Sequence, residues 1–234
     1  MLIDPYTWHT VRIRRIVREA THAVTLVVTR PKAYSFIAGQ HAIVRATIDG
    51  HSYTRQYSHA SSPDETELLF TITRSPGGIV SSWAIDTAHP GDTLSVSQAF
   101  QGPLMYIASP GERIGLIAGG SGIAPLISHI RTWQSFDRPV QATLLYSTRS
   151  DSMCYRQELQ NITNTAVHVR ETDTEPRFDV ESIRNSLSHQ SIILICGSRD
   201  FVRDMRSVCV EIFPSTPVKA EAFTIDRFDE IHEP

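Results

Sequence analysis

The stretch "GLIAGGSGIAPLISHIR", residues 115–131, decides how this chain is read. A short apolar run ends in glycines, and then Leu126, Ile130 and Trp133 recur near helical spacing. That is the pattern of a buried strand turning into an amphipathic helix. A dinucleotide-binding turn places G-x-G-x-x-G at such a junction. Gly120 and Gly122 fill its first two places, and Pro125 stands in the third. Proline is tolerated in a first helical turn, because the N–H it lacks has no intrahelical partner there. Glycines let the backbone approach a phosphate, and the helix N-terminus that follows favours anions. Alone, the stretch reads either as a phosphate wall at the carboxyl end of a parallel strand or as a tight glycine turn without ligand.

Downstream, strands and helices alternate. "VQATLLY", "AVHV", "IILIC" and "VKAEAF" have strand character. Between them Tyr155, Leu159 and Ile162, then Val180, Ile183 and Leu187, then Phe201, Met205, Val208 and Ile212 follow helical spacing. Repeated alternation of this kind predicts a parallel sheet with helices on both faces. Upstream the period is two. "VRIRRI" alternates apolar and charged residues, and "AVTLVVT" sets Val24, Leu26 and Val28 on one face with Thr25 and Thr29 on the other. "HAIVRATI" and "LLFTIT" continue the series, with turn signals at Asp49-Gly50, Ser62-Pro63-Asp64, Pro76-Gly77-Gly78 and Pro90-Gly91-Asp92. Short, closely spaced strands predict a barrel or sandwich. The boundary is expected in "MYIASPGE", giving domains 1–107 and 108–234.

The 234 residues allow two ordinary domains, with 41% apolar and 20% charged residues, a globular composition. A net charge of -3 lacks the basic excess of a general nucleic-acid binder. No apolar run reaches membrane-spanning length, and "MLIDPYTWHTVRIRR" lacks the apolar core of a signal peptide. The three cysteines, Cys154, Cys196 and Cys209, form no C-x-x-C. They suggest reduced thiols in a cytoplasmic setting and exclude an internal plant-type iron–sulfur cluster, which needs four. His9, His22, His41 and His51 show no metal spacing, so no metal site is expected, and surface or packing roles are expected for most histidines.

Two further motifs lie upstream. In "RQYSHASSP", residues 55–63, Arg55 and Tyr57 share a strand face. Arginine suits a phosphate and tyrosine a flat ring, although an ordinary polar strand reads the same way. In "TRSPGGIVSSW", residues 73–83, Gly77 and Gly78 precede hydroxyls, an arrangement that suits a phosphate or a plain turn before a helix. Taken together and in order, these segments resemble the ferredoxin–NADP(+) reductase superfamily over nearly the whole chain. "RQYS" resembles its R-x-Y-S/T flavin motif, "GGIVSSW" its flavin-pyrophosphate segment, and "AGGSGIAP" its nicotinamide-nucleotide loop, where proline is usual. "LLYSTRS" with "YRQEL" is similar to its second strand and helix. "ILICGSRDFV" is similar to its C-G-P segment, with Ser198 in place of proline and Phe201 in place of methionine.

The resemblance implies an antiparallel six-stranded barrel that binds FAD, less often FMN, and a five-stranded parallel α/β domain that binds NADPH or NADH. It assigns Arg55, Gly78, Val80 and Ser81 to the flavin pyrophosphate, and Tyr57 to the isoalloxazine and ribityl. It places Ser58 near the flavin N5 and Thr71, Ile72 and Thr73 along the cofactor. Gly119, Gly120, Gly122, Ile123 and Pro125 become the nucleotide's phosphate wall, and Cys196 and Gly197 flank the nicotinamide. Glu221 and Phe223 match the E-x-aromatic terminus, whose ring covers the flavin; eleven residues follow Phe223. Ser58, Cys196 and Glu221 are the expected catalytic set. Where an NAD-specific sheet carries an acid after its second strand, this chain has Ser147 and Arg149, and Arg170 follows the third. That favours NADPH, while Asp151 keeps NADH open. The implied reaction is hydride transfer from nicotinamide to flavin, then single electrons to a separate carrier, ferredoxin or flavodoxin first. Arg12, Arg14, Arg15 and Arg18 offer it a basic run, or else a solvated strand face. An NADH-dependent oxygenase reductase component, a diaphorase and a non-catalytic flavin-binding regulatory subunit are the alternatives.

Overall fold

The computed structural model describes residues 7–134 and 140–223; the tail beyond Phe223 lies outside the described residues. The first part contains β1 (Trp8–Ala20), β2 (Ala23–Thr29), β3 (His41–Ile48), β4 (His51–Ser58), β5 (Glu67–Thr73), α1 (Ile79–Asp86) and β6 (Thr93–Ser97). Its strands form one antiparallel sheet in the order β4-β3-β6-β1-β2-β5. A bridge between His59, just past β4, and Phe70 of β5 joins the two edge strands and closes the sheet at that corner. The apolar faces of β1, β2, β3, β5 and β6 turn inward, onto a core that includes Val11, Ile13, Leu26, Val44, Phe70, Ile72 and Val96, with Tyr57 of β4 packed against it.

β1 shows why a run of arginines can sit in a barrel strand. Val11 and Ile13 are buried and Arg12 and Arg14 exposed, but the pairing with β2 slips between Ile13 and Arg15. A bulge of this kind inserts one residue, bends the strand and sets the alternation back by one. Two consecutive arginines therefore both face solvent.

The second part contains β7 (Arg113–Gly119), α2 (Ile123–Trp133), β8 (Gln141–Thr148), α3 (Arg156–Asn161), β9 (Thr165–Glu171), α4 (Val180–Ser186), β10 (Ile192–Ser198), α5 (Arg199–Ile212) and β11 (Val218–Phe223). Its five strands are parallel, in the order β11-β10-β7-β8-β9. The chain winds outward from β7 to β9 and returns to β10, so the switch point lies between β7 and β10. α4 and α5 cover one face, through Ile183, Leu187, Phe201, Val202, Met205 and Cys209.

The other face, with α2 and α3, packs on the barrel. One continuous core joins Ile123, Leu126 and Tyr146 to Ala23, Val27, Ala60 and Leu69 of the barrel. The alternation read in β2 holds, with Val24, Leu26 and Val28 in the barrel core, and the opposite face is covered by the second domain, with Thr25 1% exposed and Val27 fully buried. Among the described residues no helix is long and apolar enough to cross a membrane, and no cluster has metal-binding composition.

Candidate functional site

The carboxyl ends of β7, β8, β10 and β11 face β4, β5 and the α1 turn across a cleft of about 550 Å³. Small-molecule sites span roughly 300–1,000 Å³, and parallel sheets bind ligands at this edge of the switch point. From the barrel, Arg55, Tyr57, Ser58, Thr71, Thr73, Gly78, Val80 and Ser81 line it. From the α/β part come Gly119, Gly120, Ser147, Arg149 and Phe223.

Each wall is shaped by glycines. On the α/β side, Gly120 has φ 54 with open space where a Cβ would point, and a Cβ on Gly122 would lie 2.2 Å from the Cys196 carbonyl oxygen. A Cβ on Gly119 would lie 2.7 Å from the Phe201 ring. Ile123 and Pro125 are buried in the first turn of α2, supporting the loop from behind rather than lining the cleft. On the barrel side, Ser81 Oγ accepts the Ser75 N–H at 3.1 Å and donates to the Gly78 carbonyl at 3.1 Å, which holds the turn before α1. Gly78 occupies the N-cap of α1 with no side-chain cap, so the first N–H groups of the helix stay available.

Arg55 and Tyr57 lie two apart on β4, paired with Val44 and Ala42 of β3. The Arg55 Nη1 donates to the Thr54 carbonyl at 2.7 Å. Burial pushes the Tyr57 phenol well above its usual range. Ser58 is buried at the strand end, opposite His41. Behind it, Glu221 Oε1 lies 3.9 Å from His41 Nδ1, and burial pushes the Glu221 carboxyl up to about 7. Cys196 is fully buried, and burial, then the Glu221 charge, keep its thiol protonated. Cys196, Gly197 and Glu221 thus sit behind the cleft, while Ser58 and Phe223 sit in it. Ile72 points into the barrel core instead.

The arginines at the mouth are only partly those the sequence suggested. Arg149 lines the cleft, 62% exposed, with its Nε 3.2 Å from Asp151 Oδ1. Arg170 lies over the Phe178 ring at 5.0 Å and faces Glu175 at 3.7 Å, away from the cleft. Arg177 lines the cleft in its stead, over the Phe201 ring at 5.6 Å. Arg74 joins the barrel wall, held by Asp86 through bonds of 2.9 and 2.5 Å. Ser198, also in the lining, caps α5 by accepting the Phe201 N–H, a task the proline of the motif does not perform. Arg74 carried a readable signal, since it directly follows β5 and opens the glycine turn. Arg177 carried none, standing in a patternless loop. The whole arrangement fits a flat ring with diphosphates: two walls that exclude side chains, hydroxyl donors, four arginines, and aromatic rings at Tyr57 and Phe223.

Residues 10–108 match the oxidoreductase FAD-binding domain, and residues 116–207 match the oxidoreductase NAD-binding domain. The chain is similar to one component of the 1,2-phenylacetyl-CoA epoxidase of Escherichia coli, 34% identical over 67% of this chain and 46% of that one. It is similar to the glycine betaine monooxygenase reductase subunit of Pseudomonas aeruginosa, 30% identical over 71% of this chain and 49% of that one. The chain spans about half the length of these curated relatives. A ferredoxin NADP+ reductase of Neisseria gonorrhoeae, with bound FAD and NADP, superposes with a TM-score of 0.76 at 19% identity, over 92% of this chain and 98% of that one.

Proposed function

The chain belongs to the ferredoxin–NADP reductase superfamily, with a FAD-binding domain followed by a NAD-binding domain, and from that premise we propose that it is an NAD(P)H-dependent flavin reductase serving an oxygenase. The observation that carries the reading is the cleft itself, where the Arg55–Tyr57–Ser58 strand end faces the Gly119–Gly122 wall across the domain interface. Residues 1–107 serve as the flavin unit and 108–234 as the nucleotide unit.

A nicotinamide nucleotide and a flavin held in this cleft would supply hydride transfer between the rings and single-electron release from the flavin. The protein's part is to hold two rings together and keep water out. Arg55, Arg74 and the turn through Gly78, Val80 and Ser81 take the flavin diphosphate. Tyr57 and Phe223 pack on ring faces, with Thr71 and Thr73 along the edge. The Ser58 hydroxyl offers a hydrogen bond at the flavin N5. The backbone of Gly119, Gly120 and Gly122 takes the nucleotide diphosphate, with Ile123, Pro125, Cys196 and Gly197 behind it. Glu221 lies 3.9 Å from His41, the cross-strand neighbour of Ser58. Ser147, Arg149 and Arg177 take the 2′-phosphate of NADPH.

An oxygenase component is a better acceptor than free ferredoxin or flavodoxin on two grounds. Both curated relatives carry epoxidase or monooxygenase names. Three of the four arginines in the basic run also bond within the chain: Arg12 donates to the Gly91 carbonyl, Arg15 pairs with Glu67 and Arg18 donates to the Ile85 carbonyl, each at 2.7 Å, while Arg14 is exposed. The test is to offer FAD and FMN to the purified protein, then NADPH or NADH with ferricyanide. A yellow protein that turns over with NADPH supports the reading, and one that takes up neither flavin overturns it. Flavin binding without turnover would move the chain to the non-catalytic class.

A further inference from the structure

Four polar side chains from both domains meet behind the cleft floor, and three of them have no part in the function proposed above. Glu19 ends β1, Thr25 lies on β2 and Thr71 on β5; Tyr155 comes from the other domain, just ahead of α3. Thr25 Oγ1 donates to Glu19 Oε1 at 2.7 Å, and the Thr25 and Thr71 hydroxyls lie 3.0 Å apart. The Thr71 hydroxyl bonds the Tyr155 hydroxyl, and the Tyr155 N–H donates to Glu19 Oε2 at 2.9 Å. A carboxylate only accepts, so the chain runs one way: Tyr155 to Thr71, Thr71 to Thr25, Thr25 to Glu19. Thr25, Thr71 and Tyr155 are all buried. Burial also holds the Tyr155 phenol protonated, far above its usual range.

Two features say that this contact is specified rather than incidental. Tyr155 has φ 61, a left-handed conformation uncommon for a residue with a side chain. In that conformation its N–H donates to Glu19, so a cross-domain bond sits at the strained residue. The second feature is polarity. Thr71 lines the cleft, yet its one hydrogen goes to Thr25 and one lone pair takes the Tyr155 hydrogen. What remains for a ligand is a lone pair.

We propose that Tyr155 is an interdomain positioning residue: through its hydroxyl it locks Thr71 as a hydrogen-bond acceptor at the cleft floor and sets the spacing between the flavin wall and the nucleotide wall. The proposal rests on the flavin-reductase reading. It implies that the ligand group above Thr71 is a donor, an N–H or a hydroxyl.

The experiment compares Tyr155→Phe, Thr71→Val, their double variant and Thr71→Ser, each as the full chain with FAD. Tyr155→Phe keeps the ring under Arg131, whose guanidinium carbon lies 5.1 Å from its centroid, and removes only the hydroxyl. Expected are a shifted flavin absorbance, a single-turnover reduction rate lowered about tenfold and a KM for NADPH within about twofold, since misplacement costs rate more than binding. Thr71→Ser keeps the hydroxyl and should rescue the flavin absorbance and melting temperature that Thr71→Val shifts. The double variant melts no lower than the worse single variant, because Thr71→Val already removes the bond that Tyr155→Phe removes. Wild-type spectrum and rate in Tyr155→Phe, or additive losses in the double variant, would overturn the proposal. If the wild-type chain binds neither FAD nor FMN, the functional reading fails separately, and the melting comparison alone decides whether the bond chain exists.

Discussion

Arg177 and Arg170 show how one residue's placement changes a specificity argument. Both stand near the third strand of the α/β part, and only Arg177 reaches the cleft. A charge-assisted hydrogen bond contributes about 1.5–3 kcal/mol. Arg177→Ala should therefore raise the KM for NADPH at least about tenfold and leave NADH unchanged. Arg170→Ala should move neither, and Arg149→Ala should fall between, because Asp151 already balances part of its charge at 3.2 Å. Equal effects on both nucleotides would remove the 2′-phosphate assignment; steady-state kinetics with each nucleotide decides. Glu221 gives a second residue-scale prediction. Burial lifts its carboxyl to about 7 in the folded protein, against about 4.3 in an unfolded chain. The folded state then binds the extra proton, so this stability is complete below the unfolded value and is lost as pH rises through 7. His41, which faces it, is shifted down by burial and works the other way, losing stability as pH falls. The buried Cys196 thiol stays neutral throughout. Glu221→Gln should match wild type near pH 4 and be more stable at pH 8, by about 3–4 kcal/mol. Coincident melting curves at pH 8 would show that the carboxyl ionises there without cost.

At the scale of elements, the glycine loop is the part that tolerates least. A Cβ on Gly122 meets backbone, the Cys196 carbonyl, at 2.2 Å, and backbone yields less than a side-chain tip. Gly122→Ala should cost on the order of 3 kcal/mol and weaken NADPH binding more than FAD binding; calorimetry with each cofactor would reveal the difference, and equal losses would mean the loop does not face the nucleotide. The same loop explains what was legible in the sequence. β7 and α2 announced themselves because a buried strand, glycines and a helical stripe are all local patterns. β6 did not: Thr93–Ser97 has only Leu94 and Val96 between hydroxyl residues, so a six-strand barrel followed from family resemblance rather than from periodicity. Thr25 reads as a polar residue on the second face of β2, and a local pattern cannot show that a second domain covers that face. Arg177 and Tyr155 escaped for the same reason. Their roles depend on a loop path and a left-handed backbone, and neither leaves a periodic trace.

At the scale of the molecule, the cleft exists only while the two sheets keep their angle, and few covalent links enforce it. The connecting segment 98–112 carries no regular strand or helix. The angle is held instead by cross-domain bonds. Ser128 Oγ donates to the Ser61 carbonyl at 2.6 Å, Arg131 Nη1 donates to the Ala60 carbonyl at 2.6 Å, and His129 Nε2 lies 3.0 Å from the Leu104 carbonyl. Arg131 is the hub. It also pairs with Glu158 through bonds of 2.7 and 2.6 Å and covers the Tyr155 ring. With 14% of its side chain exposed, removing it strands Glu158 in a poorly solvated place. Breaking one partner of a buried pair costs about 3–5 kcal/mol, and the lower end applies here because Glu158 is about a third exposed. Arg131→Met keeps the apolar stem and removes the charge, so it should lower the melting temperature and loosen the domains together. Chymotrypsin reads the second effect, since Phe100 and Tyr106 lie in the connecting segment: cleavage there should accelerate in Arg131→Met and slow again on adding FAD with NADP+, which on the proposed function would bridge the walls. If cleavage keeps its wild-type rate while the melting temperature falls, Arg131 stabilises α2 and α3 alone, and the domain angle is set by the apolar core between Val27, Leu69 and Leu126.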